Sequence, residues 1–400
     1  MTRVVRQTTR DLRRHNRAVL LSSLYLRGPV SRLELVAESG LSPATVTNVV
    51  AELIGDGVVA EAGSVESDGG RPRTLLRVRP EYGQVVGVDV GETHVRVGLF
   101  DCALETLATV QHPLGGTSLD PVEVVELVRT GVAEVLADSG TDAEGVFGVG
   151  VGVPGAVREG GIVHAPTLGW AGVGFADLLR AHLQFAAPLH LDNRARTLGQ
   201  AEMWRGAGRG SERAVIALLG VGVGAAFVTG GGSFPGITTS EWGHTVVQAA
   251  GAACRCGSHG CLEAYVGTEA VVRRYGQAPG AEPVRGVESE ARLAEVVARA
   301  AVPGPAADTL AETGEYLGIG IANLINLLAP DRVVLAGSAG AVMGPAILAH
   351  VRDAAARHAL GYLAESTLVE LGQLGPEAVA LGAATLPVAA LLASGGRSAG

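Results

Sequence analysis

Three cysteines and two histidines carry the most specific chemistry in this sequence. Cys254, Cys256 and Cys261 place three soft thiolates within eight residues, and the glycines among them let the chain fold around one ion. Zinc takes four tetrahedral nitrogen or sulfur ligands. The fourth could be His244, ten residues upstream of Cys254, or His259 inside the loop. Four protein ligands close the coordination shell, so such an ion is structural and hydrolyses nothing. The fourth cysteine, Cys102, follows a strand-like run without a nearby partner and reads as a small packed residue. Four cysteines in 400 residues do not make a disulfide framework.

Two further sets of residues suggest binding. In Val85–Gly91 followed by Val95–Asp101, two β-branched runs flank a glycine turn that carries acids, Asp89 to His94. Glycine there lets backbone amides approach a phosphate. Near the amino terminus, Ala44, Thr45, Thr47 and Asn48 share one face of a short helical pattern. Short side chains let a helix enter the DNA major groove closely and bond to base edges.

The surrounding pattern indicates how these residues are held. A helix is expected over Leu12–Leu26, ended by Gly28-Pro29. Ser31 and Glu34 form a capping-box pattern for a second helix, and Gly40 makes a tight turn. Ser42 then caps a third helix with Pro43 at its first position. Val46, Val49, Val50 and Leu53 recur with helical period, so the face opposite the polar one is buried. Gly57–Glu61 and Arg71–Val78 read as the strands of a wing, with Ser64–Gly70 as its loop. The tip carries Arg71, Pro72 and Arg73, which can present guanidinium groups to a narrow minor groove. The candidate DNA contacts are therefore Ser42, Pro43, Ala44, Thr45, Thr47, Asn48, Arg71, Pro72 and Arg73.

Charge supports this division. Residues 1–80 hold 12 Arg against 8 acids, about +4, so the remainder carries about −13 of the net −9. A basic head on an acidic body suits a local polyanion-binding module. The apolar fraction of 47% suits large cores and excludes a disordered chain. The amino terminus lacks the apolar stretch of a signal peptide. The apolar run Ala378–Ala393 contains Pro387 and reads as a buried helix, so a cytoplasmic protein without membrane contact is expected.

Several motifs resemble, in order, those of the ROK family of repressors, open-reading-frame proteins and sugar kinases. Gly150–Gly155 resembles the family's Pro-Gly loop on the sugar side. Leu191-Asp192-Asn193-Arg194-Ala195-Arg196 lies where the family has a strand end followed by Asn-Asp-Ala-Asn. Glu241-Trp242-Gly243-His244 matches its Glu-x-Gly-His signature, and Cys254–Glu263 matches its zinc loop. The head and its Gly-Arg-Pro wing are similar too, so the resemblance spans nearly the whole chain. It implies an α/β fold: a winged helix-turn-helix over 1–80, then a two-lobed, actin-like sugar-kinase body. The first lobe would cover 81–195, with 382–400 returning to it, and the second 196–381. Helix Thr309–Ala329, strand Arg332–Leu335 and a surface loop Gln277–Glu288 are expected within the second lobe.

The resemblance also assigns residues. It makes His244 the fourth ligand of a structural Zn2+ beside Cys254, Cys256 and Cys261. It implies sugar contacts at Asn193, Glu241, His244 and Glu263, with Thr167 where the family often has Asn. The kinases' catalytic base falls at Arg194, and a guanidinium cannot accept a proton. We expect Arg194 to pair with Glu241, Asp192 or Glu202, or else to bind an acidic sugar or sugar phosphate. The phosphate motif Asp-x-Gly-Gly-Thr-Lys becomes Asp89-Val90-Gly91-Glu92-Thr93-His94. Gly-Thr-Gly-x-Gly becomes Gly220-Val221-Gly222-Val223-Gly224, and the Gly-Gly of the adenosine site becomes Ala336-Gly337. Together these changes imply no catalytic residue and a body that senses a sugar without phosphorylating it. The expected protein is a repressor, a homodimer or homotetramer on an inverted-repeat operator, associated with the nucleoid when bound. The competing readings are an active kinase, with Asp192 as base, and a ligand-blind regulator whose body only oligomerises.

Overall fold

The computed structural model describes residues 8–67, 70–115, 119–183, 186–229, 236–286 and 288–396. The head comprises α1 (Thr9–Arg27), β1 (Val30–Ser31), α2 (Arg32–Ser39), α3 (Pro43–Gly55), β2 (Val59–Ser67) and β3 (Gly70–Val78). Local chemistry sets the helix starts. The Thr8 side chain bonds the Asp11 amide and Asp11 returns the bond, and Ser31 and Glu34 do the same for α2. Ser42 caps α3 by accepting from the Thr45 amide. Helix α1 thus starts earlier than the apolar period suggests, because its first turn is polar and held by the cap. The strands form a sheet in the order β1-β3-β2. The expected Ser64–Gly70 loop is largely strand: β2 continues to Ser67, with irregular register between Glu61 and Ser64 absorbing the extra residues.

The body begins with β4 (Gln84–Val90), β5 (His94–Asp101), β6 (Thr106–Pro113), α4 (Pro121–Ser139) and β7 (Val146–Val153). A small hairpin layer of β8 (Ala156–Arg158), β9 (Ile162–Ala165) and β10 (Trp170–Gly174) leads to α5 (Phe175–Leu183) and β11 (Leu189–Asn193). After α6 (Arg194–Arg205) come β12 (Arg213–Leu219), β13 (Val223–Thr229) and β14 (Gly236–Ser240). Then follow α7 (Glu263–Val266), α8 (Thr268–Gln277), α9 (Ser289–Arg299), α10 (Pro305–Leu328), β15 (Arg332–Ala336) and α11 (Ser338–His358). The chain closes with α12 (Gly361–Ser366), β16 (Leu368–Leu371) and α13 (Ala378–Ala393).

One strand pattern occurs twice. The first sheet runs β11-β7-β4-β5-β6 and the second β14-β13-β12-β15-β16. In each, three consecutive strands pair antiparallel and two later strands add in parallel. This duplicated α/β architecture is the actin-like, sugar-kinase-like body. Helix α6 packs on the second sheet, while α13 packs on β4 and β7 of the first and against α6. Their close approach depends on backbone without side chains: a Cβ on Gly150 would lie 1.8 Å from the Ala383 carbonyl oxygen. The helical segment Gly375–Ala393, which ends in α13, is long and apolar enough to cross a membrane, but it is mostly buried.

The head is not tethered by a free linker. One continuous apolar core joins Leu20, Leu24, Val50 and Leu53 of the head to Phe100, Trp204, Val388 and Leu392 of the body. Tyr25 meets Trp204 edge-to-face with ring centroids 5.5 Å apart. Buried Arg17 binds Glu52 and Asp56 within the head and donates to the Gly395 carbonyl after α13. Cys102 is fully buried in this core, and burial pushes its thiol up to about 12.

Candidate functional site

The metal loop joins the end of β14 to α7. The ligand atoms of His244, Cys254, Cys256 and Cys261 all lie within 4.8 Å of one another. His244 Nδ1 is 3.5 Å from Cys254 Sγ, and the sulfurs of Cys256 and Cys261 are 3.7 Å apart. Three sulfurs and one imidazole nitrogen converge without intervening groups, a donor set that fits a metal ion. His259 is not part of this cluster, so the choice between the two histidines falls to His244. The loop is braced by backbone bonds from Cys254 to Ser258 and from Gly260 to Ala252. It leads directly into Glu263, the first residue of α7.

Glu263 is buried, and both its carboxylate oxygens accept hydrogen bonds. It accepts from the Val223 amide at 3.0 Å and from Arg255 Nε at 2.8 Å and Nη2 at 3.2 Å. Arg255 also reaches Glu92 in the turn between β4 and β5, at 2.9 and 3.2 Å. This trio lies against the second glycine loop. A Cβ on Gly222 would come within 2.9 Å of Glu92 and 3.0 Å of Arg255. Ion-paired side chains therefore bridge the two glycine turns.

Arg194 corrects one expectation. Its partner is Asp89, not Glu241, Asp192 or Glu202. The guanidinium grips both carboxylate oxygens, with Nε at 2.6 Å from Oδ1 and Nη2 at 3.0 Å from Oδ2. Burial would raise the Asp89 carboxyl, but the charges and hydrogen bonds of Arg194 and His94 outweigh it and hold it well below the usual carboxylate range. His94 Nε2 stands 3.9 Å from the same carboxylate. Asp192, the other possible base, pairs with Arg196 at 3.4 Å and accepts from the Asn193 amide. Between the lobes, Asp89, His94, Arg194, Gly337 and Ser338 line a cavity of only about 10 Å³. That is room for about one water.

The remaining sugar-side residues differ in their freedom. Asn193 caps α6 through its carbonyl oxygen, and its amide donates to the Gly155 carbonyl at 2.6 Å. Glu241 is exposed just before the turn that carries His244. The Thr167 hydroxyl is buried without a hydrogen-bond partner. Spacing alone pointed to neither Glu92 nor Arg255 as a functional pair. The one available signal was a lone cation between two metal-ligating cysteines.

The polar face of α3 is open. Pro43, Ala44, Thr47 and Asn48 are exposed on α3, opposite buried Val46, Val49, Val50 and Leu53. Several hydroxyls are already spent: Ser42 bonds Thr45, and Thr47 bonds back to the Pro43 carbonyl. Asn48 thus offers the free polar group of this face. On the wing, Pro72 and Arg73 are exposed, while the side chain of Arg71 lies outside the described residues.

Residues 85–389 match the profile of the ROK family. The chain belongs to the ROK family. It is 26% identical to the xylose repressor of Caldicellulosiruptor bescii, over 95% of this chain and 97% of that protein. It is 27% identical to the DNA-binding transcriptional dual regulator NagC of Escherichia coli K12, over 83% of each chain. A solved ROK family transcriptional regulator, a homologue of the E. coli MLC protein, has the same fold across 96% of this chain and 98% of its own, with a TM-score of 0.74 and 24% identity. A ROK family glucokinase from Streptomyces griseus, solved with glucose and AMPPNP, matches 76% of this chain and 99% of its own, at 27% identity and a TM-score of 0.65. The kinase thus matches in full but leaves about a quarter of this chain uncovered, which the regulators largely cover.

Proposed function

We propose that this protein is a DNA-binding transcriptional repressor whose sugar-kinase-like body senses a sugar or sugar derivative and has lost phosphoryl transfer. The observation that carries this reading is the exposed polar face of α3 on a head whose core is continuous with the body. Such a face suits a major groove, and the wing arginines suit phosphates and a narrow minor groove. In a homodimer, two α3 helices would sit in successive major grooves of an inverted repeat. The likeness to a xylose repressor and to a DNA-binding transcriptional dual regulator over most of their lengths supports this reading. Its place of action is then the cytoplasm, at the nucleoid.

Loss of catalysis rests on the Asp89–Arg194 pair. Phosphoryl transfer needs a proton acceptor for the sugar hydroxyl and space for phosphates with their metal. Arg194 stands at the acceptor's position and occupies the carboxylate of the first glycine turn. Glu92 and Arg255 fill the gap between the glycine loops.

A structural Zn2+ would be held by His244, Cys254, Cys256 and Cys261. It would supply a fixed crosslink and no reactive water, because its four ligands come from the protein. Its role is to hold Glu263 and the His244 ring in place. Glu241 and Glu263 then offer acceptors for vicinal hydroxyls, and the His244 ring nitrogen turned away from the metal carries a proton and donates. Asn193 shapes the same wall from its capping position. For sugar binding to change operator affinity, the sugar must favour one lobe arrangement over another.

A mobility-shift titration with the protein's own promoter region and a sugar panel tests the regulator. Retardation that a sugar alters supports it; no retardation at any salt concentration sinks it. ADP release with the same sugars and ATP should stay at background. Calorimetry with sugars and no ATP separates a sensor, which gives heat, from a body that only oligomerises.

A further inference from the structure

We propose that Arg255 is a latch between the lobes, and that a sugar takes Glu263 only by drawing Arg255 away from it. The inference rests on the sensor reading above, since it assigns Glu263 to the ligand. Arg255 and Glu263 belong to the metal-loop side of the cleft, while Glu92 projects from the β4–β5 turn of the other lobe. One guanidinium makes four bonds of 2.8–3.2 Å to these two carboxylates. The Glu92 and Glu263 side chains are only 10% and 7% exposed, and Arg255 is 38% exposed. Two carboxylates this enclosed repel one another unless the cation stays between them.

The occupancy of Glu263 makes latch and ligand compete. Its oxygens already accept from Arg255 and from the Val223 amide. Sugar hydroxyls would donate to the same lone pairs. Arg255 is flanked on both sides by metal-ligand candidates, Cys254 and Cys256, so the loop backbone is fixed and the side chain is the part that can swing. When it swings, Glu92 loses its tie to the opposite lobe. A ligand that binds only the unlatched arrangement shifts the population towards it, and the latch lowers its apparent affinity by the fraction of molecules held shut.

Small-angle scattering of the full-length protein, without sugar or DNA, tests the latch. Glu92→Gln should give a larger radius of gyration than wild type, and Glu92→Asp, which keeps the charge, should restore most of the compact profile. Glu92 lies outside the metal loop, so this variant leaves that loop's fold intact. Arg255→Gln, which leaves two carboxylates facing each other, should expand further. Superimposable profiles for wild type and Glu92→Gln overturn the proposal. Any of D-xylose, D-glucose or N-acetyl-D-glucosamine that binds wild type calorimetrically should bind Arg255→Gln, which frees Glu263, several-fold more tightly; equal or weaker binding also overturns the proposal. Because scattering needs neither operator nor sugar, the latch can fail while DNA retardation succeeds, and the reverse.

Discussion

The polar face of α3 and the polar floor of the cleft use similar residue types, yet they differ in what those residues touch. On the head, Asn48 and Arg73 are exposed and leave their donors to a partner. In the cleft, Arg194 is consumed by Asp89, and Arg255 by Glu92 and Glu263. A charged group that is buried must be paired or it destabilises the fold. A charged group at the surface can wait for a ligand at little cost. The contrast teaches that the arginines of the cleft are spent on internal ion pairs while the polar groups of the head stay available.

The largest test of this contrast removes the metal. Structural zinc contributes on the order of 10 kcal/mol to folding small metal-binding peptides. Cys261→Ser, or a strong chelator, should therefore disorder the loop and its hold on Glu263. The expected results are a marked fall in Tm by calorimetry and loss of about one bound zinc per chain by elemental analysis. The helices of the head, whose apolar core is shared with Phe100, Trp204 and α13 and not with the metal loop, should persist in circular dichroism after the loop is lost. Equal unfolding of head and loop would mean that the two regions are not separable.

Next comes the buried pair. Arg194→Ala leaves Asp89 enclosed and uncompensated, which should cost about 3–5 kcal/mol. Arg194→Ala with Asp89→Ala should recover much of that loss in urea unfolding. If the single and double variants are equally unstable, the two residues do not act as a pair. Asp89's carboxyl is depressed by Arg194 against the opposing effect of burial. The sign follows: its contribution is present above the ordinary carboxylate range and is lost as pH falls through the lowered folded value. The double variant should therefore lose less stability on acidification than wild type.

The head offers smaller effects. Asn48→Ala removes the free amide of α3 and should cost about 1–3 kcal/mol in operator affinity, with relaxed specificity at one base pair. Its Tm should not change, since the side chain is exposed. Arg73→Ala should weaken all DNA sequences about equally and reduce the salt slope of binding by about 1. An altered base preference with an unchanged slope would place Arg73 in a groove, away from phosphate.

Much of the head was legible because its determinants are local. Ser31 with Glu34, and Ser42 with Pro43, specify helix starts within four residues, and the structure contains those caps. The short strand Val30–Ser31 was not legible: it exists only because β3 lies beside it, paired Val30 to Leu76. The metal cluster was nearly complete in its spacing, with only the choice of histidine left to the fold. The apolar helix near the carboxy terminus was also readable, though the glycine strands that receive it reveal their purpose only when α13 is laid across them.

The sequence by itself determined the caps of the head, the thiolate spacing and the arginine after Asn193. Those are properties of residue type and short-range order. Only the tertiary structure decided what the arginines do. Arg194 and Asp89 are 105 positions apart, and Arg255 and Glu92 are 163 apart. Nothing in local spacing selects one acid over another at such separations. The packing of two sheets and the crossing of α6 and α13 bring these charges together, and burial then forces each to find its partner.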